Sequence, residues 1–580
     1  MSSLDWIVLG VTLCGIVLYG LYKSQTTKDM EGYFLSNRSM PWGMVLLGVM
    51  GTQASAITFL SAPGQAFTDG MRFVQYYFGL PFAMIVLSIS FVPMFNKLKV
   101  YTAYEYLEQR FGVKTRTFTA ALFLLSRGLS TGISIYAPSI VLSSLLGWNI
   151  YLTNIVMGGL LIIYTVSGGA RAVAYTQQLQ LGIIFAAMFV AGYYVVQHMP
   201  EGIGFMDAVR TGAASGKMNT ITTGFTDKGF DWKDRYNLVS GLIGGFFLAL
   251  SYFGTDQSQV GRYLTAKNNR ESRMGLLMNG LVKVPMQFMI LLLGVLLFAY
   301  YQFNTGPIFF NTSTISEKVY QTPYGDSLRL AESQFNLLSQ QQANHAKAYA
   351  TALKADAPVA ALNDSIAQTN ALLNAQRKAY KNWLHKADPA IDTNDTNYIF
   401  LRFVLDTLPR GLIGLLIAVI ILAAWGSIAA ALNSLSSCTM VDFYSRFKKH
   451  HVHPDMQDII EARKYHLSKW FTLGWGLFCI VVAEFSGQVG SLIEVVNILG
   501  SLFYGVILGI FLVAFYMKRV EETAVFYAAI VIELLVIALF VLDKKGIIGL
   551  GFLWLNVVGA LGVVALAAVL QWVLPKKQVA

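Results

Sequence analysis

The sequence predicts an all-α integral membrane protein of about thirteen membrane-crossing helices, ten of which form two five-helix repeats of opposite orientation. Three observations predict it. First, the 580 residues are 55% hydrophobic and only 13% charged, with a mean hydropathy of +0.52, where a soluble chain carries roughly a quarter charged residues. Second, apolar runs long enough for a hydrocarbon core, about 20 residues, recur at 5–22, 41–69, 74–96, 116–145, 149–167, 173–196, 236–263, 273–303, 409–445, 463–487, 490–517, 523–542 and 548–573. Third, two of these runs are interrupted by polar and small residues at corresponding places.

The first run stays as a span, because Asp5 precedes it and Lys23 follows it, whereas a cleavable signal carries its positive charge in front. Short cytoplasmic loops collect Lys and Arg. Lys23, Lys28 and Arg38 follow the first span; Lys97, Lys99, Arg110, Lys114 and Arg116 surround the third-to-fourth connection; Arg262, Lys267, Arg270 and Arg273 follow the seventh; and Arg446, Lys448, Lys449, Lys518, Arg519, Lys576 and Lys577 fall on the same side. The N-terminus is therefore expected outside and the C-terminus in the cytoplasm, in a plasma or bacterial inner membrane. This bias accounts for the net charge of +11 without a nucleic-acid partner. Cys14, Cys438 and Cys479 offer neither a disulfide framework nor metal-ligand spacing.

The second run contains MGTQASAITFLSAPG, residues 50–64. Irregular backbone at membrane depth survives only where it lines a protein cavity, so this stretch reads as a helix that unwinds near Gly51 to Ser55 and frees carbonyls for a cation. Packing through small residues is the alternative from this stretch alone. The run at 236–263 repeats the pattern, with early glycines and then Thr255, Asp256, Gln257 and Gln259. Five spans begin with each broken one once the first helix is set aside, which points to an inverted-repeat secondary transporter with its site near the midplane. Residues 423–444, AAWGSIAAALNSLSSCTMVDFY, bring a hydroxyl and carbonyls that could face the first break as a small oxygen cage, which suits sodium.

The resulting organisation is an extra helix and cytoplasmic loop at 1–40, a first repeat at 41–196, an extracytoplasmic loop at 197–235, a second repeat at 236–517, and C-terminal helices at 518–580. An extracytoplasmic insertion at 304–408 interrupts the second repeat. Its Ala/Gln/Asn-rich tract has apolar residues at helical spacing and a proline in the middle, so it predicts a helical hairpin.

GTQASAITFLSAPG, SGGARAVAYTQQLQ at 167–180, DQSQVGRYL at 256–264 and ALNSLSSCTMVDFY at 431–444 resemble, in order and spacing, the sodium/solute symporter family. The resemblance covers about residues 5–520 and implies the leucine-transporter fold, sodium-driven uptake and sodium as the coupling ion. It places the sodium ligands at carbonyls of Gly51 and Ala54 and at Ala423, Gly426 and Ser427. Relatives usually carry Ser or Thr where Gly426 stands, so one hydroxyl ligand is missing. A second sodium in some relatives needs hydroxyls and an acidic residue at positions that are Ala429, Ala430 and Gln177 here, so one coupling ion is expected.

The resemblance also places an intracellular gate at Tyr252, and solute contacts at Gln53, Thr58, Tyr252, Lys283, Glu494 and Asn497. Lys283, an ammonium inside a span, faces a cavity, a partner or the interface. Ala249 and Ile493 replace amides of the galactose-transporting pattern, so the pocket is not a copied galactose site. Arg127 is read as structural, paired with a carbonyl or carboxylate. The expected function is import of a small organic solute with one sodium ion by alternating access, through a monomer. A sugar or polyol leads, and an organic acid or vitamin-like anion is the alternative. A solute sensor or a channel would share the hydropathy. An enzyme is disfavoured because histidines 198, 345, 385, 450, 451, 453 and 466 all fall in predicted loops or at helix ends, and no nucleophile-base pair can be drawn.

Overall fold

The computed structural model describes residues 1–24, 30–312, 315, 317–389, 391–447, 457–488 and 491–574. Lys28, Lys448, Lys449, Lys576, Lys577, His450, His451 and His453 lie outside the described residues, as do the side chains of Lys23 and of 167–172 in the second motif.

The elements follow the hydropathy. The first span is α1 (Ser3–Ser24). The second is split into α2 (Trp42–Gln53) and α3 (Ala56–Asp69). Helix α4 (80–98) runs through a π-turn at Leu87–Phe91, and α5 (Val113–Leu146) follows. Helical backbone then continues over the 48 residues Ile150–Gln197. Straight, this run would be about 70 Å long, more than two membrane cores. The Tyr164 and Thr176 hydroxyls nevertheless lie 2.7 Å apart, so the run doubles back into α6 (Ile150–Val166) and α7 (Val173–Gln197), the two spans expected.

After the short α8 (Phe205–Ala214), the second broken span consists of α9 (Gly245–Thr255) and α10 (Gln257–Leu264), with Asp256 extended between them. Next come α11 (Asn269–Phe303), the insertion helices α12 (Gly325–Lys354) and α13 (Ala360–Ala387), and the short α14 (Ile399–Thr407). The chain ends with α15 (Leu412–Cys438), α16 (Gln457–Glu484), α17 (Leu492–Tyr516), α18 (Glu522–Lys544) and α19 (Leu553–Val573).

Among the described residues, ten stretches are long and apolar enough to cross a membrane, and two shorter apolar helices join them. One stretch, Ala56–Leu98, covers both α3 and α4, which brings the crossings to thirteen. Burial ranks them: the most apolar part of the α15 span is 89% buried, against 22% for α1. A helix apolar on all sides belongs in the centre of a bundle, and α15 is that centre.

Two connections seal the basic side. Arg116 on α5 pairs with the buried Asp442 at 2.7 Å and with Glu108 at 2.6 Å. Gln257 accepts from the Ala103 backbone N–H at 3.0 Å and donates to the Tyr101 carbonyl at 2.8 Å, so the α4-to-α5 loop is pinned to the second break. On the opposite side α12 and α13 form the expected hairpin, turning at residues 355–359 around Pro358. It packs on α3 through the segment after α13: a Cβ on Gly64 would lie 2.0 Å from the Thr396 carbonyl oxygen, so only glycine permits that approach. Arg377 reaches the same corner, with its guanidinium 5.0 Å from the Phe310 ring and 5.8 Å from the Phe67 ring of α3.

Candidate functional site: a cavity between two broken helices

The first break and α9 line one cavity in the bundle, and the hydrogen bonds of the first break show what it releases. In an uninterrupted helix the Ser55 N–H would bond to the Gly51 carbonyl and the Thr58 N–H to that of Ala54. Instead Ser55 donates to the Gln53 carbonyl at 3.0 Å and Thr58 to the Ser55 carbonyl at 2.9 Å. Ala54 (φ −83°, ψ 76°) and Ser55 (φ −84°, ψ 176°) carry the non-helical backbone that makes this switch. The carbonyls of Gly51 and Ala54 thereby lose their helical donors, which is the electronic requirement for a cation ligand.

Opposite them, on α15, Ser427 donates its hydroxyl hydrogen to the carbonyls of Ala423 and Ala424, each at 3.1 Å, leaving its lone pairs available. Ser427 lines the same cavity as Thr52 and Ser55. Gly426 is packed rather than vacant. Its carbonyl accepts from Gln177 Nε2 at 3.0 Å, and a Cβ there would meet Gln180 Oε1 at 2.6 Å and Gln177 Cγ at 3.1 Å. A Cβ on Gly51 would lie 3.1 Å from the same Gln177 side chain. Two neutral amides from α7 therefore fill the wedge between the first break and α15, which explains the small residues on both sides of it. The Nε of Arg262, on α10, donates to the Thr52 hydroxyl at 3.1 Å. Among the described residues no cluster of three or more His, Cys, Asp or Glu could hold a metal ion; the oxygens gathered at the break are carbonyls and hydroxyls.

The cavity continues from the breaks between α3, α5, α9 and α17. Gln53, Thr58, Tyr252 and Asn497 all line it, together with Arg127, Ser130, Thr131 and Ser134 of α5. The Gln53 amide oxygen has no partner among the described residues, and Asn497 accepts from the Tyr76 hydroxyl at 3.3 Å. The floor toward the basic side is aromatic and charged. The rings of Tyr252 and Tyr504 are 5.9 Å apart, and the Arg127 guanidinium lies 5.8 Å from the Tyr252 ring. Tyr252 accepts from Gln259 at 2.7 Å and sits within the bundle, not at a lipid interface. Asp256 takes the Tyr504 hydroxyl at 2.5 Å and the Ser258 backbone N–H at 2.7 Å, with Arg127 Nη1 at 3.7 Å.

Two expected solute contacts lie elsewhere. Lys283 is fully buried on α11 with its Nζ 5.6 Å from the Tyr77 ring and no hydrogen-bond partner among the described residues; it stands behind Tyr77 and does not line the cavity. Glu494 turns to the loop side, where it pairs with Arg235 and lies 3.5 Å from the Tyr236 hydroxyl. One residue earlier, Ile493 points inward, as adjacent positions on a helix do at about 100° to each other. Arg127, read from sequence as structural, both faces Asp256 and lines the cavity. Tyr504 and Tyr76 carried no signal beyond their place in apolar spans, and Gln180 appeared only as the last residue of the 167–180 motif.

The profile of the Sodium:solute symporter family matches residues 33–322 and 384–531. The sodium/sialic acid symporter of Proteus mirabilis is 25% identical over 566 residues, which is 97% of this chain and 93% of that protein. Human sodium-coupled monocarboxylate transporter 1 is 29% identical over 283 residues, covering 47% of this chain and 44% of that protein. A solved sodium-coupled sialic acid symporter in its substrate-bound outward-open state superposes with a TM-score of 0.73 at 22% identity, over 99% of this chain and 98% of that one. With the family profile spanning most of the chain and the fold agreeing from end to end, this protein is a member of the Sodium:solute symporter family, a multi-pass membrane protein of the leucine-transporter fold that couples transport of a small organic solute to sodium.

Proposed function

We propose that the chain imports a small organic anion, an acidic sugar of the sialic acid kind, with one sodium ion per solute by alternating access. The observation that carries this reading is Arg127. Arg127 lines a cavity at membrane depth, its Nε has no partner among the described residues, its Nη1 reaches Asp256 only at 3.7 Å, and that carboxylate is already engaged by Tyr504 and Ser258. An arginine offers a planar fork that matches a carboxylate, while Gln53, Thr58, Ser130, Ser134 and Asn497 supply groups suited to hydroxyls. A neutral sugar or polyol would give the Arg127 Nε no anionic partner. A monocarboxylate would use Arg127 and leave much of the polar lining idle, which makes it the second reading.

Sodium is held by the carbonyls of Gly51, Ala54 and Ala423 and by the Ser427 hydroxyl, while the Gly426 carbonyl accepts from Gln177. These ligands belong to α2, its break and α15, so the ion draws the first break against the central helix. Thr52, Ser55 and Thr58 flank that break and line the solute cavity, so ordering the break raises solute affinity, and solute raises sodium affinity by the same factor. Toward the basic side, Tyr252 and the Arg127–Asp256 pair close the path; rotation of α9 about its break at Asp256 opens it. The membrane orientation consistent with this direction has the N-terminus outside and the C-terminus in the cytoplasm. The test is counterflow in proteoliposomes. Labelled sialic acid, lactate and galactose are offered with and without sodium, and the reading requires sodium-dependent exchange of the acidic sugar that Arg127→Gln abolishes. Exchange of galactose unaffected by Arg127→Gln would overturn it.

A further inference from the structure

A second cavity, of about 410 Å³, lies on the other face of α3. Its walls are one side of α7 and one side of α11, including Phe189, Tyr193, Met289 and Leu293; Phe59 of α3 forms its back and Phe205, the first residue of α8, its end on the side of the insertion. The remaining lining positions are apolar apart from Gly192, and the Tyr193 hydroxyl is the one side-chain hydrogen-bonding group in the lining. The volume lies within the range of small-molecule sites, about 300–1,000 Å³. A space so poor in polar partners does not hold water.

The mouth opens to lipid. Phe189, Tyr193 and Met289 are 61%, 60% and 51% exposed, and all three belong to helices that cross the membrane. The groove is thus continuous with the surface that the hydrocarbon core covers, and the hydrocarbon core supplies its occupant. Met188, Met286 and Met289 give the walls the adaptable, polarizable surface that accommodates a flexible chain. At the loop end Phe205 and Met206 are exposed on α8, an arrangement that sets this short helix at the level of the headgroups.

We propose that this groove binds one acyl chain of a membrane phospholipid. Within a single turn of α3, Ile57 and Thr58 line the central cavity while Phe59 lines the groove. The chain therefore packs against the back of the half-helix that carries the solute-facing groups, and it occupies a site distinct from the sodium and solute positions.

The experiment uses the full chain in phosphatidylcholine bilayers doped with a phospholipid that carries a diazirine on its acyl chain. After photolysis, labelled residues are mapped by mass spectrometry. The label is expected to concentrate on 185–196 and 286–296, above the density on other lipid-facing helices such as α18. Gly192→Leu fills the groove: a Cβ there meets only Leu293 Cδ1, at 3.8 Å, so the backbone need not move. It should reduce groove labelling to the level of α18. Gly182→Leu, on the same helix with nothing within 4 Å of its Cβ, should leave the pattern unchanged. Uniform labelling of the lipid-facing surface in the unaltered protein overturns the proposal, and that result needs no variant. So does groove labelling that Gly192→Leu leaves intact.

Discussion

Ser427→Ala should raise the sodium concentration for half-maximal transport by roughly ten- to a hundred-fold, because a hydrogen-bonding group that serves a charge contributes about 1.5–3 kcal/mol. The structure makes this a clean deletion. The hydroxyl donates only to the carbonyls of Ala423 and Ala424, which helix geometry also serves, so no buried donor or acceptor is orphaned by its loss. Ser427 is 5% exposed, and removal of one oxygen leaves little space to collapse. The carbonyls of Gly51 and Ala54, proposed as ligands, are freed by the break between α2 and α3 and not by Ser427, and remain in place. The assay is solute uptake titrated with sodium at saturating solute in proteoliposomes, with reconstituted protein quantified independently. Ser427→Thr keeps the oxygen and should retain most of the sodium affinity. Ser434→Ala, further along α15 where the hydroxyl bonds the Ala430 carbonyl at 2.8 Å, should change nothing. An unaltered sodium dependence in Ser427→Ala would refute the assignment of the cage to 423–427.

Further outcomes follow from the same geometry. Gln177→Glu replaces the amide that donates to the Gly426 carbonyl with an anion beside the break, and should tighten sodium or add a second sodium step, seen as a Hill coefficient that rises above unity in the same titration. Gly64→Ala forces a Cβ to within 2.0 Å of the Thr396 carbonyl oxygen; it should push the insertion off α3 and destabilise the protein by about 1–3 kcal/mol, read as a fall in thermal midpoint. Asp392, in the segment that follows α13, has its carboxyl pushed up to about 6 by burial, with the Asn394 backbone N–H and Lys381 opposing the rise and Asp395 adding to it. A carboxyl raised in the folded state stabilises below its unfolded value of about 4 and loses that contribution as pH climbs from about 4 to about 6. Asp392→Asn should therefore gain about 2 kcal/mol over the unaltered protein near neutral pH and little near pH 4, measured as the difference in hydrogen-exchange protection of 388–398.

Much of the fold was legible because lipid imposes a simple rule: spans must be apolar for about 20 residues and must satisfy their own backbone. That rule marked every crossing, and the same rule exposed the two breaks, since GTQAS and GTDQS violate it. The hairpin of α12 and α13 followed from helical spacing around Pro358. What was not legible is the direction of single side chains. Lys283 lies on α11, which lends no residue to the cavity, and its ammonium sits beside the ring of Tyr77, which does line it, an ordering that depends on packing and not on sequence position. Glu494 and Ile493 are neighbours in sequence, but one faces Arg235 and the other the cavity. Gly426 read as a lost ligand; its reason appears only when Gln177 and Gln180, some 250 residues earlier, are seen to fill the space a Cβ would need. Arg127 read as structural because sequence shows that a charge is buried and not what faces it.

The central claim, obligatory coupling of one sodium to one organic anion, is tested most directly by measuring radiolabelled sodium and labelled sialic acid fluxes together in the same proteoliposomes. The account predicts that each requires the other and that initial rates stand in a ratio near one. Sodium entry without solute, or solute entry undiminished when sodium is replaced by choline, would contradict it.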